Sequence, residues 1–334
     1  MNLQTNIINY CQHQTFDLAD QFAQDVEEGL SRKNKKLPCM YIYDDEGSRL
    51  FQEIMDLPEY YLTDCEIEIL REYKDFLGNL FEEQDFYLFE LGAGDGKKTR
   101  ILIDHFQKRG IDFHYIPIDI SSLAVENLIE NLNDDYNELK ITGLVSEYFQ
   151  GLKYVSGIDV KTKVVLFLGS NIGNMEPDES HEFLKGIHNS LEHGDYLLIG
   201  FDLKKEAEIL SRAYNDAAGI TAQFNKNVLL RINKDLGGTF NPDHFDYHSV
   251  YDPQQSAIKS YLISTKKQEV YISAIDSLIK FEKWEAIHTE SAYKYDEAQI
   301  EEMAANSGFI IKKNLHDSWH FFTDSLWQVR KDGQ

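Results

Sequence analysis

The spacing of apolar residues changes near residue 86, and the change divides the chain into segments of different type. Before it, apolar residues recur at helical spacing over 17–32 and 49–81, and Gly47-Ser48 is the expected start of the second helical segment. Beyond it, short apolar runs alternate with helix-length segments. These runs are predicted strands: 86–91, 114–120, 140–145, 164–168 and 196–201. Strands that alternate with helices predict a parallel sheet.

The last third of the chain is more mixed, with a polar stretch that contains Pro242 and Pro253. The elements predicted there, in chain order, are helices 202–217 and 221–233, antiparallel strands 256–265 and 269–273, a helix at 296–307, and strands 309–313 and 325–330. We expect the last two strands to return to the main sheet as an antiparallel pair at its edge. The pattern therefore predicts an α/β main domain with a smaller attached lobe.

Charge and cysteine content narrow the possible partners. The 334 residues include 33 basic and 57 acidic side chains, a net charge of −24, which repels nucleic acid and anionic membranes. A small neutral or zwitterionic substrate is expected instead. Cys11, Cys39 and Cys65 form no C-x-x-C pair, so neither a disulfide framework nor a zinc cluster is expected.

Targeting signals are also missing from the sequence as given. No apolar run approaches the roughly 20 residues that cross a bilayer, and residues 1–20 lack the basic start and apolar centre of a signal peptide. We therefore expect a cytoplasmic protein. A monomer is compatible with the sequence, which does not specify the oligomeric state.

The most informative motif is Glu90-Leu-Gly-Ala-Gly-Asp-Gly96, at the end of the first predicted strand. Glycines at 92, 94 and 96 allow a tight turn and a close approach of the backbone to a ligand. Their G-x-G-x-G spacing differs from the G-x-G-x-x-G of dinucleotide folds, so S-adenosylmethionine is favoured over NAD as the cofactor. Glu90 suits the cofactor's charged amino-acid tail, and Lys98, early in the next helix, would face its carboxylate. By itself, such a loop also fits an ordinary strand-to-helix turn.

Three later strand ends extend this interpretation. Asp119 ends the second strand, where a carboxylate can accept hydrogen bonds from both ribose hydroxyls of a cofactor. After the third strand, Glu147 and Tyr148 would contact the adenine amine and ring, although a surface acid beside a core aromatic residue has the same sequence. Asn174, after the fourth strand, would lie beside the transferable methyl group. Its structural alternative is a residue just ahead of a helix that starts at Glu176-Pro177.

Other chemistries fit the sequence less well. His244 and His248 are four residues apart, but they lie in the polar stretch and lack an H-E-x-x-H pattern, so no metal is expected. Gly169-Ser-Asn-Ile-Gly173 does not place a serine at the centre of a nucleophile elbow, which disfavours a hydrolase. A sensor that binds an amino acid or the cofactor without catalysis remains an alternative from another class.

Five segments together resemble the histidine Nα-methyltransferase family of ergothioneine biosynthesis. They are 43–51, 57–63, 90–100, 167–174 and 214–225. The resemblance implies a Rossmann-type methyltransferase sheet, mostly parallel with an antiparallel edge, and a smaller α+β substrate-binding lobe. The methyltransferase domain would comprise 81–204 and 294–334, and the lobe would comprise 1–80 and 205–293. It further implies S-adenosylmethionine-dependent methylation of an amino acid's α-amino group, up to the trimethylated product hercynine.

The resemblance also implies roles for individual residues. Asn174 and Tyr214 would hold the substrate carboxylate, Tyr60 would lie near the amine, and Tyr43 would line the same pocket, with Tyr60 and Asn174 as the expected catalytic residues. Glu290 matches the acid that recognises the histidine imidazole.

Two positions in the expected substrate pocket depart from the family pattern. Ala292 replaces a serine that completes the imidazole contact, and Ser260 replaces a pocket methionine. A lost hydrogen bond to a buried polar ligand costs about 1–3 kcal/mol, which weakens histidine binding without excluding it. L-Histidine is therefore the first expected substrate, followed by a modified histidine, tryptophan or another aromatic amino acid.

Overall fold

The computed structural model describes residues 6–9, 15–82, 84–160 and 162–331. The α-helices are α1 Thr15–Ser31, α2 Asp45–Met55, α3 Tyr61–Phe81, α4 Arg100–Arg109, α5 Ser122–Asp135, α6 Tyr148–Gly157, α7 Pro177–Ser190, α8 Ala207–Ala213, α9 Ile220–Leu236 and α10 Glu297–Asn306. The strands are β1 Asn6–Asn9, β2 Lys35–Lys36, β3 Phe86–Leu91, β4 Phe113–Asp119, β5 Lys140–Val145, β6 Thr162–Phe167, β7 Tyr196–Asp202, β8 Phe245–Asp252, β9 Ala257–Ser264, β10 Gln268–Ile272, β11 Ser277–Phe281, β12 Ala286–Tyr293, β13 Phe309–His316 and β14 Phe322–Val329.

Contacts within the chain group it into two compact units. The described residues of the first unit fall within 1–11, 62–204 and 294–334, and those of the second fall within 12–61 and 205–293. The domain boundaries expected from the sequence stay a prediction. Nearly all of α3 belongs to the first unit. That the two units serve as a cofactor domain and a substrate lobe remains our proposal.

An eight-stranded sheet forms the centre of the first unit, in the order β1-β5-β4-β3-β6-β7-β14-β13. The six strands from β1 to β7 in this order run parallel to one another, and β14 pairs antiparallel with both β7 and β13. The predicted α/β class, with a mostly parallel sheet and an antiparallel edge, is therefore confirmed. Helices cover the sheet, so its central strands are buried on both faces and have continuous apolar sequences.

The chain leaves the first unit after β7 and returns to it at Lys294. The Lys294 ammonium and the Asp202 carboxylate form an ion pair with a 2.7 Å separation, and both side chains are buried. The backbone is paired at the same place, since the Tyr295 amide donates to the Asp202 carbonyl over 3.0 Å. The residues where the chain leaves the first unit are therefore joined to those where it returns by an ion pair and a backbone hydrogen bond.

The second unit contains a four-stranded sheet in the order β2-β12-β9-β8 and a separate β10–β11 hairpin. Strand β8 lies within the polar stretch, where the sequence pattern predicts no strand. Its alternate residues are the less exposed ones, while the intervening residues are exposed, as in a strand with one buried face. Polar residues on the exposed face concealed this period-two pattern.

Two helix predictions need correction. The segment 49–81 forms two helices, α2 and α3, which are separated by a turn that contains Pro58. The first of these starts earlier than Gly47-Ser48, because the Asp44 side chain accepts a hydrogen bond from the Gly47 amide and caps the helix. The segment 202–217 is helical only in α8, since Asp202 completes strand β7.

Two sequence-based expectations concern membranes and thiols. Within the described ranges, no helix is long and apolar enough to cross a membrane. Cys39 is partly exposed and Cys65 is buried, and Cys11 lies outside the described residues.

Candidate functional site

The glycine loop after β3 has a backbone that requires glycine. Gly92, Gly94 and Gly96 all have positive φ angles, of 73°, 55° and 67°. A Cβ atom added to Gly92 would lie 2.9 Å from the Tyr148 hydroxyl, whereas one added to Gly94 would meet no atom within 4 Å. The loop therefore packs against the protein at Gly92 and faces open space at Gly94.

Asp119, at the end of β4, is fixed by the backbone around it. One carboxylate oxygen accepts from the Gly94 amide over 2.9 Å and the other from the Ser121 amide over 3.0 Å. Burial raises the pKa of this carboxyl, and the hydrogen bonds from these amides oppose the rise. A carboxylate has about four acceptor sites, so Asp119 can also accept from ligand hydroxyls. Two acceptors beside the open side of the glycine loop fit the ribose of an adenosine group.

Glu90 lies beneath the glycine loop and is bound inside the first unit. Its two carboxylate oxygens accept hydrogen bonds from the hydroxyls of Thr99 and Tyr115, and the side chain is buried. Burial raises its pKa to about 7, against the opposing effect of these hydrogen bonds and of Lys98. Glu90 therefore supports the loop and the first turn after it, and its expected contact with the cofactor's amino-acid tail stays a prediction.

Lys98 has a partner that the sequence analysis did not identify. Its ammonium forms a 2.7 Å ion pair with one carboxylate oxygen of Glu66 in α3. The other oxygen of Glu66 accepts a hydrogen bond from the Gly169 amide over 2.7 Å. Glu66 therefore joins the loop after β3 to the loop after β6. An acid within the apolar face of a helix was the available signal, since Glu66 follows Cys65 and precedes Ile67 in a buried stretch.

The loops after β5 and β6 carry the remaining expected residues of the first unit. Glu147 precedes α6 as its N-cap residue, and the Tyr148 ring packs on Phe167 and Phe183 with centroids 5.4 Å apart in each case. The Tyr148 ring is thus largely a packing element, and its hydroxyl lies against Gly92. Asn174 ends a 3-10 helix and lies ahead of the capping box that starts α7.

In the second unit, the three expected tyrosines belong to one aromatic cluster. The Tyr60 ring contacts Tyr214 edge to face at 6.3 Å, and Phe51 at 6.1 Å. Phe51 and Phe224 also contact the Tyr43 ring, at 5.6 and 5.1 Å. The three tyrosines were expected from the sequence, whereas Phe51 and Phe224, which lie in the segments 43–51 and 214–225, were not.

The other expected substrate residues lie on one face of the four-stranded sheet. Glu290 of β12 is directly opposite Ser260 of β9, which is opposite Ser249 of β8. Ala292, two residues along β12, shares the face and is opposite Ile258. Ser260, Glu290 and Ala292 are all buried. Strand register therefore brings together the two positions that depart from the family pattern and the acid between them.

Tyr247 of β8 is a further residue on this face that the sequence analysis missed, because its strand was not predicted. Its hydroxyl donates to the Tyr214 carbonyl over 2.9 Å and lies 3.1 Å from the Ser260 hydroxyl. Burial raises the Tyr247 pKa, and the negative charge of Glu290 adds to the rise. Since a phenol has one proton, Tyr247 gives it to the carbonyl and accepts from Ser260. Ser260 therefore presents lone pairs, as does the Glu290 carboxylate beside it.

His244 and His248, the histidines considered for metal binding, lie in surroundings that do not favour a metal ion. The His244 ring nitrogen lies 2.9 Å from the Lys266 ammonium, a neighbour that repels a cation, and the His248 residue is exposed on β8. Across the described part of the chain, no group of three or more His, Cys, Asp or Glu side chains is placed to hold a metal ion.

Comparison with known proteins adds a family match over nearly the whole chain. A family model described as "Histidine-specific methyltransferase, SAM-dependent" matches residues 22–329, where SAM is S-adenosylmethionine. The histidine N-alpha-methyltransferase of Mycobacterium tuberculosis is 34% identical over 272 residues, which cover 81% of this chain and 84% of the relative. The enzyme of the same name from Mycolicibacterium smegmatis is 33% identical over 290 residues, or 87% of this chain and 89% of the relative. Ergothioneine biosynthesis protein 1 of Schizosaccharomyces pombe is 30% identical over 294 residues, which are 86% of this chain and 38% of that longer protein.

Proposed function

The chain belongs to the family of histidine-specific, S-adenosylmethionine-dependent methyltransferases, and from this premise we propose that it methylates the α-amino nitrogen of L-histidine. The proposed end product is the trimethylated betaine, hercynine. The observation that carries the substrate assignment is the buried acceptor pair of Ser260 and Glu290, in a chain whose relatives are named for histidine methylation. S-Adenosylmethionine supplies the methyl group, on a positively charged sulfur that makes it ready for transfer.

Residues of the first unit are assigned to the cofactor. We assign the Asp119 carboxylate to the ribose hydroxyls as a hydrogen-bond acceptor, and the loop at Gly94 leaves space for the ligand. We assign Lys98 to the cofactor's carboxylate, because its ammonium has two further N–H donors beyond the one used by Glu66. Glu147 and Tyr148 keep their proposed position near the adenine, with Tyr148 acting chiefly through its packing against Gly92.

The amino-acid end of the substrate is assigned to Asn174, Tyr214 and Tyr60. Asn174 and Tyr214 would bind the carboxylate, and Tyr60 would orient the amine, as the resemblance implies. Tyr60 and Tyr214 are buried and in ring contact, so their geometry is set before a ligand arrives. The aromatic faces of Tyr43 and Tyr60 would favour the quaternary ammonium that forms as methyl groups accumulate.

The side chain of the substrate is assigned to the sheet face with Glu290. A neutral imidazole has one N–H donor and an imidazolium has two, whereas an indole has one. Glu290 and Ser260 present acceptors on adjacent strands, so together they match two donors. This acceptor pair favours histidine over tryptophan, although Ala292 offers no hydroxyl where the family has a serine. Tryptophan and modified histidines stay in the test as alternatives.

The residues of the chain have three tasks in the reaction. They must hold the amine nitrogen in line with the methyl–sulfur bond, exclude water, and accept an amine in its neutral form. With an ordinary α-amino pKa near 8, a fraction of the amine is neutral at physiological pH. Tyr60 is proposed to orient that lone pair and to relay the departing proton. Catalysis therefore depends mainly on positioning, and no covalent bond to the protein is needed.

Incubation with labelled S-adenosylmethionine and an amino-acid panel tests the proposal. The panel contains L-histidine, its two ring-methylated forms, L-tryptophan and L-tyrosine, and mass spectrometry counts the methyl groups added. We expect histidine to have the highest kcat/KM and to reach the trimethylated product. Preferred methylation of tryptophan would overturn the histidine assignment, and binding without methyl transfer to any member would support the sensor alternative.

Matched tyrosine variants locate the reaction. Tyr60→Phe is expected to lower kcat by about tenfold or more, as loss of an orienting hydroxyl does. Tyr271→Phe, in the same unit, removes a hydroxyl that binds Asp276 at the surface and is expected to leave kcat unchanged. Equal kinetics for the two variants would contradict the role of Tyr60.

The proposed substrate is a small amino acid, which suits a protein with a net charge of −24. Cytoplasmic location remains a prediction from the sequence.

A further inference from the structure

Four ionisable side chains meet beneath the loops at the end of β3 and β6. Glu66 comes from α3, Glu90 from β3, Lys98 from the turn before α4, and Asp324 from β14. The three acids are buried, and the Lys98 ammonium is the cation that faces them. Three ionised acids with one ammonium would leave a net charge of −2 in a buried site. Such a charge is too costly to keep, so protons must be retained.

Glu66 is the member of this group that touches both loops. One carboxylate oxygen accepts a hydrogen bond from the Lys98 ammonium, and the other accepts one from the Gly169 amide, both over 2.7 Å. Space for this carboxylate depends on Gly200 of β7, since a Cβ there would lie 2.5 Å from it. The bonding partners of Glu66 are those of an ionised carboxylate, because both of its oxygens accept from N–H donors.

Asp324 is the unexplained member of the group. It lies opposite Gly200 in the sheet and is completely buried, and neither of its oxygens accepts a hydrogen bond from a donor group in the described chain. The Glu66 carboxylate lies on the same side of the sheet, because a Cβ on Gly200, the residue opposite Asp324, would be 2.5 Å from Glu66 Oε1. Two neighbouring carboxyl groups can form a hydrogen bond only when one of them carries a proton. Burial strongly raises the pKa of Asp324, and the negative charge of Glu66 adds to the rise.

We infer that Asp324 is held as a neutral acid that donates its proton to Glu66, and that this pair positions Lys98 and the Gly169 loop to receive the cofactor. The inference rests on the proposed role of Lys98 toward the cofactor's carboxylate. Glu66 and Asp324 are positioning residues in this arrangement, because they act on the ligand through Lys98. A neutral Asp324 also leaves Lys98 and Glu66 as a balanced pair, so the ammonium keeps hydrogen-bonding capacity for a second carboxylate.

Infrared spectroscopy of the ligand-free protein tests the shared proton directly. We expect wild-type protein at neutral pH to show the carbonyl band of a protonated carboxylic acid, and Asp324→Asn to lack it. Since the pKa of Glu90 is about 7, both spectra are recorded in a Glu90→Gln background, and the Asp324→Asn spectrum is subtracted from the one with Asp324. Absence of this band in the difference spectrum would overturn the inference, whatever the enzyme's activity.

Calorimetric titration with S-adenosylhomocysteine tests the positioning role. Asp324→Asn keeps the size of the side chain and a donor for Glu66, so its Kd is expected to stay within about twofold of wild type. Asp324→Ala keeps neither and is expected to raise the Kd about tenfold. Glu66→Gln removes the charge that holds Lys98 and is expected to raise the Kd by about tenfold or more. Glu72→Gln, at an exposed position of the same helix, is the control and should bind as wild type.

The outcomes separate this inference from the assignment of Lys98. An unchanged Kd for Lys98→Gln would refute the cofactor role of Lys98 but not the shared proton, which the infrared band reports. Wild-type binding by Glu66→Gln, or equal losses for Asp324→Asn and Asp324→Ala, would overturn the positioning role. If Glu66→Gln or Asp324→Ala does not fold, the infrared band and the Kd of Asp324→Asn decide.

Discussion

Asp202 and Lys294 form a 2.7 Å ion pair in which both side chains are buried, at the two points where the chain leaves and re-enters its first unit. A long segment, 205–293, lies between these two residues in sequence. In the first sheet β14 pairs directly with β7, so the segment 205–293 does not interrupt the sheet. The pair therefore has a structural role that is separate from ligand binding.

Removal of one member of this pair should lower the stability of the folded protein. Lys294→Met leaves the Asp202 carboxylate buried without its cation, and we expect a loss of about 3–5 kcal/mol in the free energy of unfolding. Lys204→Met is the matched control, because its pair with Asp296 has a similar 2.7 Å separation but is 35% and 47% exposed. That change should cost no more than about 1 kcal/mol. Urea denaturation measures both, and equal losses would contradict the role of the buried pair.

Cofactor binding should depend on Asp119. Asp119→Asn replaces one acceptor oxygen by an NH₂ group that faces the ribose hydroxyls, so we expect the Kd for S-adenosylhomocysteine to rise by about tenfold or more, or about 1.4 kcal/mol. Asp112→Asn, which alters an exposed pair with Lys140, is the control and should leave the Kd unchanged. Calorimetric titration gives both constants. Wild-type affinity in a folded Asp119→Asn protein would remove this residue from the cofactor site.

The hydroxyl missing at position 292 can be restored. Ala292→Ser is expected to lower the KM for histidine severalfold, because one hydrogen bond to a polar ligand contributes about 0.5–1.5 kcal/mol. Ala305→Ser, on the exposed face of α10, is the control. Steady-state kinetics with histidine and tryptophan measure the effect. An equal change in KM for both substrates would show that position 292 does not contact the imidazole.

The effects of Tyr247 and Ser260 on the KM for histidine should be coupled. Tyr247→Phe and Ser260→Ala each break the hydrogen bond between them, so their combined effect on the KM for histidine should be smaller than the sum of the separate effects. We expect about a tenfold rise in KM for Tyr247→Phe, or about 1.4 kcal/mol. Tyr261→Phe lies next to Ser260 on the opposite face of β9 and should have no effect. Additive effects in the double variant would contradict the coupling.

Glu90 should give the protein a specific pH dependence of stability. Its pKa is about 7 in the folded state and has an ordinary value of 4.5, so between these values the folded state binds more protons than the unfolded chain. Its contribution to stability is therefore present below about pH 4.5 and is lost as the pH rises to about 7. Glu90→Gln, which cannot ionise, should reduce this loss between pH 5 and pH 8 by about 1–3 kcal/mol. Denaturation curves at both pH values, with Glu72→Gln as the exposed control, measure the difference. Parallel pH profiles for wild type and Glu90→Gln would contradict it.

The main sheet could be predicted because its strands have a strong local signal. Strands β3 and β5 begin and end at the predicted residues, 86–91 and 140–145, and the other predicted parallel strands differ by one or two positions at their ends. A strand buried on both faces must be apolar throughout, so its sequence is distinctive. Strand β8 lacks this signal because only one of its faces is buried, and its polar residues resemble those of a loop.

The sequence by itself determined the order of strands and helices around the glycine loop, the position of Asp119 at a strand end, and the family to which the chain belongs. Only the tertiary structure decided which distant side chains meet: Glu66 with Lys98 and Asp324, and Tyr247 with Ser260 beside Glu290. The physical reason is that periodicity and turn chemistry are local properties of the chain. Contacts between distant residues depend instead on helix packing and strand register, where a shift of one residue would turn each side chain to the other face.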